Sequence, residues 1–172
     1  MHFLSRSALT VAVLVGGVLS GCGFHLRGNI RLAPALAHVR VTSTEQGTNV
    51  LKTNIEDALK RSGAAIEENS GDGVAEVRMT GVGLTTNVGS VGANARVNEF
   101  VMAYHVDLEI LDGLGKVLQA KQALELSRRF TFDQTQAIGT GAQQEQIRRE
   151  MMRDMTQAVV RKIDALQRKL AQ

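Results

Sequence analysis

Among 172 residues there is one cysteine, one proline, one tyrosine and no tryptophan. A lone thiol cannot close an internal disulfide and is too few for a cysteine-built zinc or iron–sulfur centre. Aromatic residues make up 3% of the chain, and 20 Lys and Arg stand against 17 Asp and Glu, dispersed among one another. That pattern lacks the one-sided basic surface with interleaved aromatics that nucleic-acid binding uses, so no nucleic-acid partner is expected. No internal repeat or low-complexity tract is present. What remains suffices for one domain: 44% apolar residues, 22% charged, and 17 glycines without a collagen-like period.

The apolar residues begin with a run at 8–19, ALTVAVLVGGVL, preceded by Arg6 and no acid, and followed by small residues. It is shorter than the roughly 20 residues that span a bilayer and has the layout of a secretory signal peptide. Leu19-Ser20-Gly21-Cys22 resembles the bacterial lipobox. That resemblance implies cleavage before Cys22, a diacylglycerol on its sulfur and an acyl group on its amino nitrogen, with no other cofactor. Several acyl chains make such an anchor stable. Residue 23 is Gly rather than the Asp that retains such proteins at the inner membrane, which implies the outer membrane, entered from the periplasmic side. The expected organisation is a signal peptide at 1–21, a lipidated lead at 22–37 that contains Pro34, and one domain at 38–172.

Hydrophobic periodicity divides that domain. Residues 38–44 alternate as a strand, and 48–62 place Leu51, Ile55, Ala58 and Leu59 at helical spacing before Gly63, with Glu56 four residues ahead of Lys60. Residues 73–84 alternate again up to Gly81 and Gly83, which mark a bulge or a close backbone approach. Residues 85–98 are small and polar and read as a long loop. From Phe100 the alternation is strict through Met102, Tyr104, Val106, Leu108 and Ile110, then Asp112-Gly113 supplies a turn. The return strand, 117–132, sets Leu118, Ala120, Leu124, Leu126, Phe130 and Phe132 on one face. Finally, Ile147, Met151, Met155, Val159, Ile163, Leu166 and Leu170 recur at helical spacing within 142–171. The order β-α-β-β-β-α predicts an α+β two-layer sandwich: one mixed sheet of about four strands with two helices packed on one face.

Motifs for catalysis are missing. His25, His38 and His105 fall at no metal-ligand spacing, so no metal is expected. No nucleophile elbow frames Ser127 or Asp107, and Gly81-Val82-Gly83 is neither a P-loop nor a dinucleotide fingerprint. The expectation is therefore not an enzyme. Met151, Met152 and Met155 read as core filler. The bases of the last helix, interleaved with Glu145, Glu150, Asp154 and Asp164, fit a solvated face better than an anion site.

The opening Cys22-Gly23-Phe24-His25-Leu26-Arg27-Gly28, the strand FVMAYHVDLEILD, Arg129-Phe130-Thr131-Phe132-Asp133 and the helix opening EQIRREMMRDM together resemble the LptE (RlpB) family of lipopolysaccharide-assembly lipoproteins. The resemblance covers essentially the whole chain after the signal peptide. It implies a non-enzymatic outer-membrane lipoprotein. Such a protein plugs the β-barrel LptD one to one, assists its assembly, and binds lipopolysaccharide (LPS) during insertion into the outer leaflet. His105, Asp107, Glu109, Lys121 and Glu125 are the candidate partner contacts, because a polar sheet face suits the polar interior of a barrel. Arg96, in the 85–98 loop, and Arg129 are the candidates for LPS phosphates and acidic sugars, which arginine binds through its fork. The alternative is an autonomous envelope lipoprotein serving another transport or tethering system.

Overall fold

The long alternating stretches and the helical stripes appear as the elements of a computed structural model, which describes residues 33–91, 97–131 and 137–171. Cys22, Arg96 and Phe132 lie outside those residues. Everything described falls in one compact unit.

A short 3-10 turn, Pro34–Leu36, leads into strand β1, His38–Ser43. Leu36 is fully buried against the core, so the end of the lead packs into the domain. Helix α1, Asn49–Arg61, buries Leu51, Ile55 and Leu59, the stripe that a spacing of four creates. It stops at Gly63, whose φ of +94° is open to glycine at no steric cost. There the Gly63 N–H donates to Lys60 O at 2.9 Å and the Ala64 N–H to Leu59 O at 3.0 Å, satisfying carbonyls that the last turn leaves open. Glu56 reaches back to Lys52 at 3.7 Å rather than forward to Lys60.

Strand β2, Ala65–Ile66, follows at once and pairs parallel with β1. Two residues are too short to announce a strand by alternation, which explains the count of five where about four were expected. Strands β3 (Val74–Val91), β4 (Val97–Leu111) and β5 (Val117–Thr131) complete the mixed sheet in the order β2-β1-β3-β4-β5. β1 lies parallel to β3, while β3, β4 and β5 run antiparallel.

Two strand expectations need correction. Residues 85–91 and 97–98 are strand, not loop: Thr85 pairs with Ala103, Asn87 with Val101 and Val91 with Val97. Most side chains of 85–91 are exposed on both faces, so water removes the alternation that reveals a half-buried strand. Gly89 is there for contact, since a Cβ would stand 3.0 Å from Val101 Cγ2 where the register shifts. In β5 the register against β4 shifts twice between Leu108 and Leu111, so the even alternation expected over 117–132 is broken and Ala120 is exposed. The bulge expected in β3 is present, with the register jumping from Thr80 to Gly83 and Gly81 at φ +62°.

Helix α2, Ala137–Leu170, lays Met151, Met155, Val159, Ile163 and Leu166 over the sheet. With α1 and the inner sheet face, including Val77, Met79, Val106, Leu108 and Ile110, they form one core cluster. The Phe100 and Phe130 rings stack across β4 and β5 with centroids 5.6 Å apart. Both helices therefore cover a single face, and the other is left to polar residues.

Candidate functional site: the polar face of the sheet

Alternation puts Arg40, Glu76, Arg78, His105, Asp107 and Glu109 opposite the core, because Val39, Val41, Val77, Met79, Val106 and Leu108 point inward. The parallel register sets Arg40 beside Glu76, and the antiparallel one sets Arg78 beside Glu109. Charges of opposite sign thus meet across three strands. Arg40 lies 3.3 Å from Glu76, Arg78 reaches Glu76 at 2.9 Å and Glu109 at 3.2 Å, and the Thr42 hydroxyl donates to Glu76 at 2.7 Å. Partial burial pushes the Glu76 carboxyl pKa up. The bonds from Thr42 and Arg78 and the nearby guanidinium charges outweigh that and hold it below the usual range. The bonds with Glu76, then the charge of Glu109, raise Arg78 further.

A second group forms where β4 meets β5. His105 Nε2 lies 3.1 Å from Asp107 and its Nδ1 3.3 Å from Glu125, so one ring sits between two carboxylates. Gly81 makes room for it, since a Cβ there would stand 3.3 Å from Asp107 and 3.5 Å from His105. The bulge is pinned from outside the strand: the Gly81 N–H donates to Glu45 at 2.7 Å. Desolvation opposes ionisation of Glu45, yet this bond and those from nearby hydroxyls lower its pKa.

Of the candidates read from sequence, His105, Asp107, Glu109 and Glu125 thus share one face and are bound into its network. Lys121 falls at the β5 register break, exposed, and Arg129 is exposed beside Val101; neither enters an ion pair among the described residues. Arg40, Glu76, Arg78 and Glu45 were missed. The alternation of Arg40, Glu76 and Arg78 was legible, but Glu45 lies past the end of β1, and the pairing of β1 with β3, which brings Arg40 to Glu76, spans a crossover that periodicity does not specify. Two buried polar atoms on these strands, Arg40 Nε and Thr80 Oγ1, have no hydrogen-bond partner among the described residues.

Chemically, the face offers alternating charge for docking. Ser127 is exposed and makes no side-chain hydrogen bond with His105 or Asp107, so these three residues do not form a nucleophile–base pair. No group of three metal-ligating side chains converges among the described residues.

Comparison with known proteins agrees with this architecture. A solution structure of lipoprotein B from Nitrosomonas europaea superposes with a TM-score of 0.71 at 23% identity, covering 83% of this chain and 91% of that one. The rare lipoprotein B of Shewanella oneidensis gives 0.66 at 16% identity, covering 78% and 99%. The LPS-assembly lipoprotein LptE of Photorhabdus laumondii is 24% identical over 162 residues, 94% of this chain and 86% of its own length. The family model for LptE, described as lipopolysaccharide-assembly, matches residues 36–163, from the buried Leu36 to Ile163 in the core stripe of α2, and the chain belongs to that family.

Proposed function

We propose that this protein sits in the lumen of the outer-membrane β-barrel LptD, one to one, and binds LPS as it passes to the outer leaflet. Family membership gives the chain a role in LPS assembly. The seat and the binding are the steps beyond it. The observation that carries them is the sheet face opposite the helices, where two groups of ionisable side chains from β1, β3, β4 and β5 make pairwise contacts of 2.9 to 3.3 Å. A barrel lumen is polar, so a face of mixed charge matches it where an apolar one would not.

In this reading His105, Asp107, Glu109, Lys121 and Glu125 meet the barrel wall. Arg129, exposed and free of ion pairs, and Arg96 in the connection between β3 and β4 meet phosphates or acidic sugars. The protein holds its position by lipid on Cys22, and its task involves no catalysis. Crosslinking in the native envelope followed by purification of the lipidated protein tests the seat. Recovery of a large outer-membrane barrel in equal amount is the expected result. Recovery of the protein alone, or with inner-membrane transport components, would assign it instead to an autonomous accessory role.

A further inference from the structure

On the side away from the sheet, the two helices leave an open groove of about 490 Å³. Its walls carry Asn54, Asp57 and Arg61 from α1 and Arg153, Gln157 and Arg161 from α2. The helical repeat explains the gathering. Positions 54, 57 and 61 share one face of α1, and 153, 157 and 161 are successive steps of four on α2. The arginines lining the groove differ from two others of α2 in what they pair with. Arg148 and Arg149 lie within 3.7 and 3.5 Å of Glu145, on their own helix. Arg61, Arg153 and Arg161 are exposed and enter no ion pair with any described residue. Three guanidinium groups facing one acid, Asp57, form a site with unanswered positive charge.

We infer that this groove receives an extended acidic segment of a partner protein. Three features favour a peptide over a phosphate-bearing headgroup. Asn54 and Gln157 each offer both a donor and an acceptor, which match a peptide's N–H and C=O, whereas a phosphate only accepts. Asp57 repels a phosphate but can accept a peptide N–H. Arg153 and Arg161, eight residues apart, stand about 12 Å apart along the helix at 1.5 Å per residue. In an extended chain, acids at i and i+4 lie on one side about 13 Å apart. Ala58 and Val160 supply an apolar floor for a side chain between them. The inference rests on the helices alone and holds whether or not the sheet face meets a barrel.

The test uses the full lipidated protein in detergent and a fluorescent peptide, Ser-Glu-Ser-Val-Ser-Glu-Ser, with its glutamine counterpart as control. Measurable anisotropy binding is expected, weakened about ten-fold or more in the control and in Arg153→Glu/Arg161→Glu, as loss of two charge pairs requires. Arg153→Gln/Arg161→Gln, which adds no repulsion, should weaken it similarly, with melting temperature unchanged in both. No binding at about 1 mM peptide, equal binding of the control, or equal binding by the glutamine variant would overturn the inference. So would phosphatidylglycerol vesicles binding through these arginines while the peptide does not.

Discussion

Gly113 and Gly71 meet backbone to backbone: a Cβ on Gly113 would stand 2.6 Å from the Gly71 carbonyl oxygen and equally close to the Gly73 nitrogen. The turn between β4 and β5 therefore packs on the turn that opens β3. Asp112 holds its own side of that contact, its carboxylate accepting the Leu114 N–H at 3.0 Å and the Lys116 N–H at 2.8 Å. Gly113→Ala should lower stability by about 1–3 kcal/mol, the cost of forcing atoms into a filled space. Gly141→Ala, in α2 with nothing within 4 Å of the new Cβ, should raise it by up to about 1 kcal/mol. Urea unfolding of both variants checks the contrast.

Glu76 couples the sheet to pH. Its folded pKa is depressed, so its stabilisation is fully present above the unfolded carboxylate value of about 4.3 and is lost as pH falls through the folded value. Glu76→Gln should cost about 1–3 kcal/mol at pH 7. It should also make the urea midpoint fall less steeply below about pH 4 than in the parent protein.

Leu108 is 1% exposed on the inner face of β4. Leu108→Asp places an unpaired carboxylate in the core and should destabilise the domain by at least about 3 kcal/mol. An unchanged melting temperature would contradict the face assignment of β4.

Arg129→Ala and Arg96→Ala should each weaken LPS binding by about five- to ten-fold, the loss of one charge-assisted contact, while circular dichroism and melting temperature stay unchanged. Unaltered affinity in both would remove them from the binding surface.

Cys22→Ser should abolish lipidation, measured by labelled fatty-acid incorporation. Acylation of the variant would refute the lipobox reading.

The fold was legible wherever one side of an element meets the core and the other meets water. Met102 to Ile110 and Met151 to Ile163 show their burial directly as periods of two and four. Thr85 to Val91 do not, because that strand extends past its cover and its pairing depends on main-chain bonds and on Gly89. Ala65–Ile66 is too short for a period. For the polar face, His105, Asp107 and Glu109 could be placed by alternation along β4, whereas the chain from Arg40 through Glu76 and Arg78 to Glu109 needed the strand order. Of the groove arginines, Arg153 and Arg161 were visible as bases of the last helix, and Arg61 was not singled out. Their separation from Arg148 and Arg149 depends on how α1 packs on α2, which no single-helix pattern specifies.

The 18 residues of β3, at about 3.3 Å each, make a strand up to about 60 Å long. The hydrocarbon layer of a bilayer is roughly 30 Å thick. For a protein seated in a barrel, a strand of that length is a rod that outlasts the membrane. In the seat proposed above, a covered half on the periplasmic side would leave the far end level with the headgroups of the outer leaflet.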